Sequence, residues 1–455
     1  MSAATSVARA RNAWVPIWIV TLLLIFEPDL RSIGLSQRAM PTSVGLIQGF
    51  WLPDLGLLLP IIAVFLGGRG ASLFRGKIMR WIIGLALYGA AIAVFRGNQF
   101  SPFAYDLRIC IALVTGLALV ECAPKRRRQL TDALVAVCSI GIFLSCIVLL
   151  EMPKWGTALL GGERITAEST FLLIGVPIVL LGPTLVLATT EGLRILALVT
   201  WIAAAVLLME VMILLQTRSL AVSIVLSLVL ARGATAAVMG ARNRIRQAAR
   251  ERPMIGRGTA LALTIISAAL VVDRSEAFLA FLDRMSSGVH LAKDTTWLIR
   301  AAEVAQVFGS MGLAGHLTGM GLGPLPPVDF FGQPVFALHV GVLNVWWRFG
   351  VIGFLLLLWS MQRFTKLWLA ARRRLLSGTG QSSKDVALVV VGPGVLALAA
   401  QAFISGGWAI TSMLALGIAW GVYRSLAETA PFEDIERSPL RVGDGHGARI
   451  AGSIA

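Results

Sequence analysis

Long apolar segments recur from Trp14 almost to the C-terminus, and they constrain this chain more than any other feature. A helix needs about 20 predominantly apolar residues to cross the hydrocarbon core of a bilayer. With 57% hydrophobic and only 14% charged residues, the chain lacks the polar surface of a soluble globular protein. We therefore predict an all-α integral membrane protein with about twelve transmembrane helices, near residues 13–27, 51–66, 79–95, 107–122, 131–150, 171–187, 193–213, 216–232, 257–272, 340–361, 386–402 and 405–423.

The distribution of basic residues predicts how the chain is oriented. The formal net charge is +16, but Lys and Arg form short clusters between the apolar segments and are not gathered on one domain. This pattern is typical of cytoplasmic loops and argues against nucleic acid as a partner. With the N-terminus in the cytoplasm, 28 of the 40 basic residues fall in cytoplasmic loops and 11 in exterior ones. The positive-inside rule then places both termini in the cytoplasm.

The longest segment outside the predicted spans is 273–338, on the exterior side between the ninth and tenth spans. Its Trp and Phe residues and few charges argue against disorder, so we predict a packed loop with a short helix near 296–310. The chain then divides into transmembrane helices over 1–272, this loop, transmembrane helices over 339–425, and a cytoplasmic tail over 426–455.

Two candidate site residues lie where predicted spans begin on the exterior side. Arg218 begins the eighth span, with Glu210 eight residues upstream. Ionisable groups at membrane depth are often functional, although a snorkelling arginine or an Arg218–Glu210 ion pair would explain them equally well. His339 precedes the tenth span. A histidine can act as a base at neutral pH, and a packing role is the alternative.

The exterior loop supplies a further candidate. If residues 294–303 are helical, Trp297, Arg300 and Glu303 share one face. A fixed guanidinium offers planar, paired donors that suit a phosphate or pyrophosphate, whereas a surface ion pair with Glu303 would contribute little.

Other patterns in the sequence are predicted to be structural. Glu27 and Asp29 flank a proline, which is common at helix ends, so the alternative of a divalent-metal site is not favoured and we predict neither metal nor cofactor. The run Gly319–Gly323 lacks the strand–turn–helix context of a nucleotide-binding loop and predicts a tight turn. The four cysteines lie in or beside the fourth and fifth spans, which indicates neither a disulfide framework nor a zinc site.

Three segments together resemble the O-antigen ligase/polymerase superfamily of bacterial membrane glycosyltransferases. From His339 the chain is similar to the motif with which that family re-enters the membrane, a histidine followed at four, eleven and fourteen residues by Leu343, Gly350 and Gly353. Residues 300–323 look like the family's arginine-led helix and Gly-x-Gly-x-Gly turn. Residues 217–219 resemble the start of one of its spans.

This resemblance implies a GT-C-like fold with one large periplasmic loop, and a glycosyltransferase of the bacterial inner membrane that acts at the periplasmic face. The implied donor is a glycan on undecaprenyl pyrophosphate, and the acceptor is another glycan or lipid A-core. A chain-length regulator is a further candidate partner. In this interpretation Arg218 and Arg300 stabilise the pyrophosphate leaving group without a metal, and His339 accepts the acceptor's proton or orients a phosphate oxygen.

The sequence leaves alternatives open for the role of Arg348 and for the product of the reaction. Arg348 would be a third phosphate contact or would pair with Glu210, and Trp297 would contribute to substrate binding. Val340 and Arg348 stand where the family has an asparagine and an acid, which favours a polymerase of O-antigen or exopolysaccharide repeat units over an O-antigen ligase. A lipid-linked glycan flippase or an anion transporter is the alternative of another class, although we find no internal repeat of the kind that transporters carry.

Overall fold

The computed structural model describes the larger part of the chain in fourteen separate ranges, namely 14–25, 52–74, 77–123, 130–131, 134, 180–190, 218–245, 295–327, 329–330, 333–334, 338, 340–379, 382–404 and 408–428. In these ranges the chain is helical apart from short turns and one hairpin, in which Asp329–Phe330 pairs antiparallel with Gln333–Pro334. The all-α class predicted from the sequence is confirmed for this part of the chain.

Twelve helices occur in the described ranges, and we number them in chain order. They are α1 (Trp14–Ile25), α2 (Leu52–Leu66), α3 (Gly70–Leu73), α4 (Lys77–Arg96), α5 (Phe100–Cys122), α6 (Leu180–Thr190), α7 (Arg218–Ile245), α8 (Thr295–Ser310), α9 (Leu313–Thr318), α10 (Gly341–Ser377), α11 (Ser383–Ile404) and α12 (Ile410–Glu428).

Six of these helices, α4, α5, α7, α10, α11 and α12, are long and apolar enough to cross a membrane. Three shorter apolar helices coincide with the first, second and sixth predicted spans. The chain is therefore a multi-pass membrane protein. The seventh and ninth predicted spans, and almost all of the fifth, lie outside the described residues, so the total of about twelve spans stays a prediction. The predicted loop helix near 296–310 is confirmed as α8.

Several helices extend past the predicted spans, because hydropathy marks the apolar part of a helix and not its ends. The eighth span continues to Ile245 and the tenth to Ser377, through segments rich in Ala, Leu and Arg, which are good helix formers. The fourth begins at Phe100 instead of residue 107, and its first turn contains Pro102, which is tolerated there.

Small residues bring α5 and α12 into close contact at the centre of the helix bundle. A Cβ on Gly116 would collide with the backbone around Leu414, and a Cβ on Gly417 would collide with the carbonyl of Leu113. Membrane helices associate through such small residues, because hydrocarbon surroundings give little hydrophobic drive for helices to pack.

The two ends of the bundle carry different chemistry. At one end, Arg374 forms a paired hydrogen bond with Asp385, and Arg424 bonds the carbonyl of Ser72 at 2.6 Å and lies 3.5 Å from Glu121. We call this the basic end. The opposite end carries residues 97–99, between α4 and α5, and we call it the site end.

A kink in α10 shapes the site end. Gly350 has φ 61° and ψ −159°, a conformation open essentially only to glycine, and it interrupts the helix within its third turn. The interruption frees the carbonyls of Trp347 and Arg348. They accept hydrogen bonds from the amides of Met320 and Gly321, at 2.8 and 3.0 Å.

The glycine run that supplies those amides is the tight turn predicted from the sequence. Gly319, Gly321 and Gly323 all have positive φ. The next two amides are also engaged, since Leu322 donates to the carbonyl of Gly89 and Gly323 donates to the carboxylate of Asp106. With four consecutive amides bonded to protein, this turn serves packing and does not act as an anion-binding nest.

Replacing Gly350 with alanine is expected to destabilise the protein by about 1–3 kcal/mol, because the alanine would have to adopt a positive φ. Its Cβ would also lie 2.5 Å from both the Gly319 nitrogen and the Leu317 carbonyl oxygen. The measurement is the apparent Tm in detergent. Gly84→Ala in α4 is the matched control, since nothing lies within 4 Å of its Cβ position. Equal Tm values for the two variants would contradict this account of the kink.

Candidate functional site

A buried carboxylate organises the site end. The side chain of Asp106, on α5, is 1% exposed. Its oxygens accept hydrogen bonds from three separate segments of the chain, all at 2.7 Å, namely from Arg348 Nε, the Gly323 amide and Trp408 Nε1. A buried ion pair is costly unless further hydrogen bonds satisfy it, and here they do. Asp106 therefore ties α10, the glycine turn and the segment before α12 to α5.

The partner of this carboxylate, Arg348, is equally buried. Its guanidinium is 1% exposed and lies over the ring of Trp408, 5.1 Å from the ring centroid. Its Nη1 donates to the side-chain oxygen of Asn344 at 3.2 Å. The structure thus gives Arg348 a structural role among Asp106, Trp408 and Asn344, and its burial leaves almost no surface for direct contact with a phosphate. The proposed pairing with Glu210 involves a residue outside the described ranges.

Asn344 carries this network to the start of α10. It is fully buried, and its side chain forms hydrogen bonds with both backbone groups of Leu338. Its oxygen accepts a hydrogen bond from the Leu338 amide at 2.8 Å, and its nitrogen donates one to the Leu338 carbonyl at 2.9 Å. A fully satisfied buried network of this kind fixes the backbone that it holds. Here the fixed backbone is the residue immediately before His339.

The residue after His339 is held from the other side. Glu303, on α8, is completely buried, and its Oε2 accepts the amide of Val340 at 3.3 Å. Apolar packing between Val307 of α8 and Leu338 reinforces this contact. His339 itself lies outside the described residues, but both of its chain neighbours are anchored at this point.

Arg300 is half-buried and lies one turn before Glu303, on the same side of α8. Residues three apart on a helix have Cβ atoms about 5–6 Å apart, which brings the base of the Arg300 side chain close to that of Glu303. Its Nε is buried and has no hydrogen-bond partner within the described residues. Since Glu303 is fully buried, the alternative of a weak surface ion pair between the two does not hold. A buried guanidinium N–H of this kind is a strong donor for an anion.

The backbone of Arg218 also lies at the site end. The side chains of Ser227 in α7 and Pro393 in α11 both lie beside Gly182 of α6, so these residues are at the same height along the bundle. Further along α7, Gly233 lies beside Arg372, near the basic end. α7 therefore runs from the site end toward the basic end. Nine residues, or about 13 Å of helix, carry the chain back from Ser227 to Arg218.

Several predicted residues fall outside what the structure describes. Trp297 lies in the first turn of α8 and Arg218 in the first turn of α7, and only their backbones are described. Glu210, Glu27 and Asp29 lie in ranges that are not described. Among the described residues, no group of three His, Cys, Asp or Glu side chains is placed to hold a metal ion.

Sequence reasoning missed Asp106, Asn344 and Trp408. The predicted start of the fourth span at residue 107 left Asp106 just outside the membrane, where an acid is unremarkable. Recognising that the helix begins at Phe100 would have placed a carboxylate inside a span, which is a signal of function or of a buried partner.

Comparisons with protein-family models, with curated proteins and with solved structures found no match to this chain. The chain is therefore assigned to no family, and its similarity to the O-antigen ligase/polymerase superfamily stays a prediction made from its motifs. In the described residues, the protein is a helical multi-pass membrane protein with a buried polar network at the site end, where the Arg300 guanidinium also lies.

Proposed function

We propose that this protein is a metal-independent, inverting glycosyltransferase at the periplasmic face of the bacterial inner membrane. Its donor would be a glycan on undecaprenyl pyrophosphate, and its product a polymer of O-antigen or exopolysaccharide repeat units. The observation that carries the proposal is the buried Nε of Arg300, which bonds nothing within the described residues and lies one turn from the carboxylate that anchors the backbone next to His339.

The proposed reaction breaks the bond between the anomeric carbon and the pyrophosphate oxygen. An acceptor hydroxyl attacks the opposite face of the sugar, its proton passes to His339, and the bonding electrons leave with undecaprenyl pyrophosphate. Direct attack inverts the anomeric centre. Negative charge develops on the leaving group, and fixed cationic donors aimed at that charge lower the barrier. Arg300 and Arg218 would supply those donors.

The other candidate residues would bind the substrate or position the residues that do. Trp297, in the first turn of α8, would line the substrate on the same side as Arg300, and Glu210 stays a candidate partner of Arg218. Arg348 would not touch the phosphate. It would position His339 through Asn344, whose side chain holds the preceding residue.

Deleting the gene in its host tests the proposal and separates it from its alternatives. Glycans are sized separately on undecaprenyl pyrophosphate, on lipid A-core and in the medium, with the wild-type gene restored as the control. A polymerase predicts that long chains are lost while single repeat units remain on their carriers. Long chains stranded on undecaprenyl pyrophosphate, with bare lipid A-core, would instead indicate a ligase. Single units accumulating on the cytoplasmic side would overturn the transferase in favour of a flippase.

A further inference from the structure

In helix α8 the charged residues face the protein and apolar residues face outward, which is the reverse of a helix that lies on a protein surface in water. The two charged residues of α8, the half-buried Arg300 and the fully buried Glu303, lie on the side that faces the protein. Between Leu298 and Gly309 the exposed positions are apolar except for Gln306, and they include Leu298 at 53%, Val304 at 39% and Phe308 at 40% exposure. A helix beside water presents its polar side outward. The arrangement in α8 is the one expected of a helix beside lipid.

The short helix α9 continues this exposed apolar surface. Leu313 is 78% exposed and Leu317 is 50% exposed, and their spacing of four residues puts them on one face. The only ionisable residue of α9, His316, is turned to the protein. Its ring stacks on Phe308 at 5.4 Å, and its Nδ1 accepts a hydrogen bond from Trp346 at 3.3 Å.

The position of α9 along the bundle shows that this surface is not above the transmembrane helices. The carbonyl of Thr318, the last residue of α9, accepts a hydrogen bond from the Tyr88 hydroxyl at 2.9 Å. Tyr88 precedes the end of α4 at Arg96 by eight residues, or about 12 Å of helix. On the other side, α9 ends against Gly350, nine residues into α10. The end of α9 therefore lies roughly two helical turns inside the site end.

The neighbours of α9 at this depth also expose apolar side chains. Leu87 of α4, next to Tyr88, is 65% exposed, and Ile352 and Leu355 of α10 are 46% and 57% exposed. Both helices are candidate membrane spans, so these side chains face lipid. The exposed leucines of α9 lie between the two surfaces and continue them.

We propose that residues 298–323 form a re-entrant membrane segment and that its outer face contacts the acyl chains of the bilayer. The outer face comprises Leu298, Val304, Phe308, Leu313 and Leu317. Two observations support this inference. The charged residues of α8 face the protein while its apolar residues face outward, and α9 lies at membrane depth beside two lipid-facing helices. It holds whatever reaction the protein catalyses, and its consequence is that Arg300 and Glu303 face the protein interior while lipid covers the opposite side of the helix.

Nitroxide labels test this directly in the full-length protein, reconstituted in liposomes of phosphatidylethanolamine and phosphatidylglycerol. The labels are attached at Leu313→Cys and Leu317→Cys, in a background whose native cysteines are replaced by serine. Collision rates with oxygen, which partitions into lipid, and with a water-soluble nickel chelate are then measured by EPR. We expect the ratio of oxygen to nickel collisions to be similar to that at Leu87→Cys, the exposed position of α4 next to Tyr88, and to exceed several-fold that at Gln99→Cys, in the exposed loop at the site end.

Two results would overturn the inference. A ratio like that of Gln99→Cys would place the outer face in water, and low collision rates with both reagents would mean that protein covers it. Mixing labelled with excess unlabelled protein then shows whether a second copy is the cover. Phe308→Cys on α8 gives an independent position if either leucine variant fails to elute as a single species. None of these readouts uses glycan transfer, so the inference and the proposed function fail separately.

Discussion

Replacing Arg300 with alanine is expected to reduce glycan transfer by about 100- to 1000-fold, while the protein still accumulates in the membrane. That is the usual effect of removing one preorganised donor to a developing negative charge. The buried Nε of Arg300 bonds nothing within the described residues, so its loss breaks no described contact of that atom. A purely structural arginine would behave in the opposite way, since its removal would leave a buried acceptor unpaired.

The measurement is the ladder of glycan lengths in a deletion strain that carries each variant, together with the amount of protein in the membrane. Arg300→Lys keeps the charge but loses the planar pair of donors, so we expect it to recover only part of the activity. Arg96→Ala is the matched control, because Arg96 is an exposed arginine of the site end whose one hydrogen bond to the described residues is a 3.4 Å contact with the Met320 sulfur. It should leave the ladder unchanged.

The same assay applies to the other two proposed site residues. Arg218→Ala and His339→Ala are each expected to abolish transfer without loss of protein, and full activity in any of the three variants would remove that residue from the site. If Arg300 and His339 proved dispensable while Glu210 and Arg348 did not, a transport function would be favoured.

The features predicted correctly from the sequence are those that local chemistry determines. Apolar length alone located α4, α10 and α11, because the bilayer sets how much hydrocarbon a helix must present. The alternation of glycines in 319–323 indicated a turn, and each of the three glycines has a positive φ. The shared face of Arg300 and Glu303 was conditional on a helix over residues 294–303, and α8 supplies that helix from Thr295.

The buried network could not be predicted because its members are far apart in the chain. Asp106 and Arg348 are separated by 242 residues, and Asp106 and Trp408 by 302. No local pattern states which of the many charges in a membrane protein will meet. The same limit explains why Arg348 was predicted to contact a phosphate: alone in an apolar span it lacks a visible partner, and only the packing of α5 against α10 supplies one.

Replacing Asp106 with alanine is expected to lower the stability of the protein by about 3–5 kcal/mol, because it removes the carboxylate that pairs with the buried guanidinium of Arg348. It also leaves the Gly323 amide and the Trp408 indole without an acceptor. The measurement is the apparent Tm in detergent, followed by size-exclusion chromatography. Arg374→Ala is the control: it breaks the Arg374–Asp385 ion pair, whose arginine is 46% exposed and whose aspartate lies in the first turn of α11, so it should lower the Tm less than Asp106→Ala does.

A double variant separates the cost of an unpaired charge from the loss of the contacts themselves. Asp106→Leu with Arg348→Met removes both charges and keeps comparable volume, so it should recover much of the stability that Asp106→Ala loses, as replaced buried ion pairs often do. Activity should not return with it, because Asn344 then loses the guanidinium that helps to orient its hold on Leu338. Recovery of full transfer would show that the ion pair serves folding alone. If Asp106→Ala were no less stable than Arg374→Ala, Asp106 would not be the organising residue of the site end.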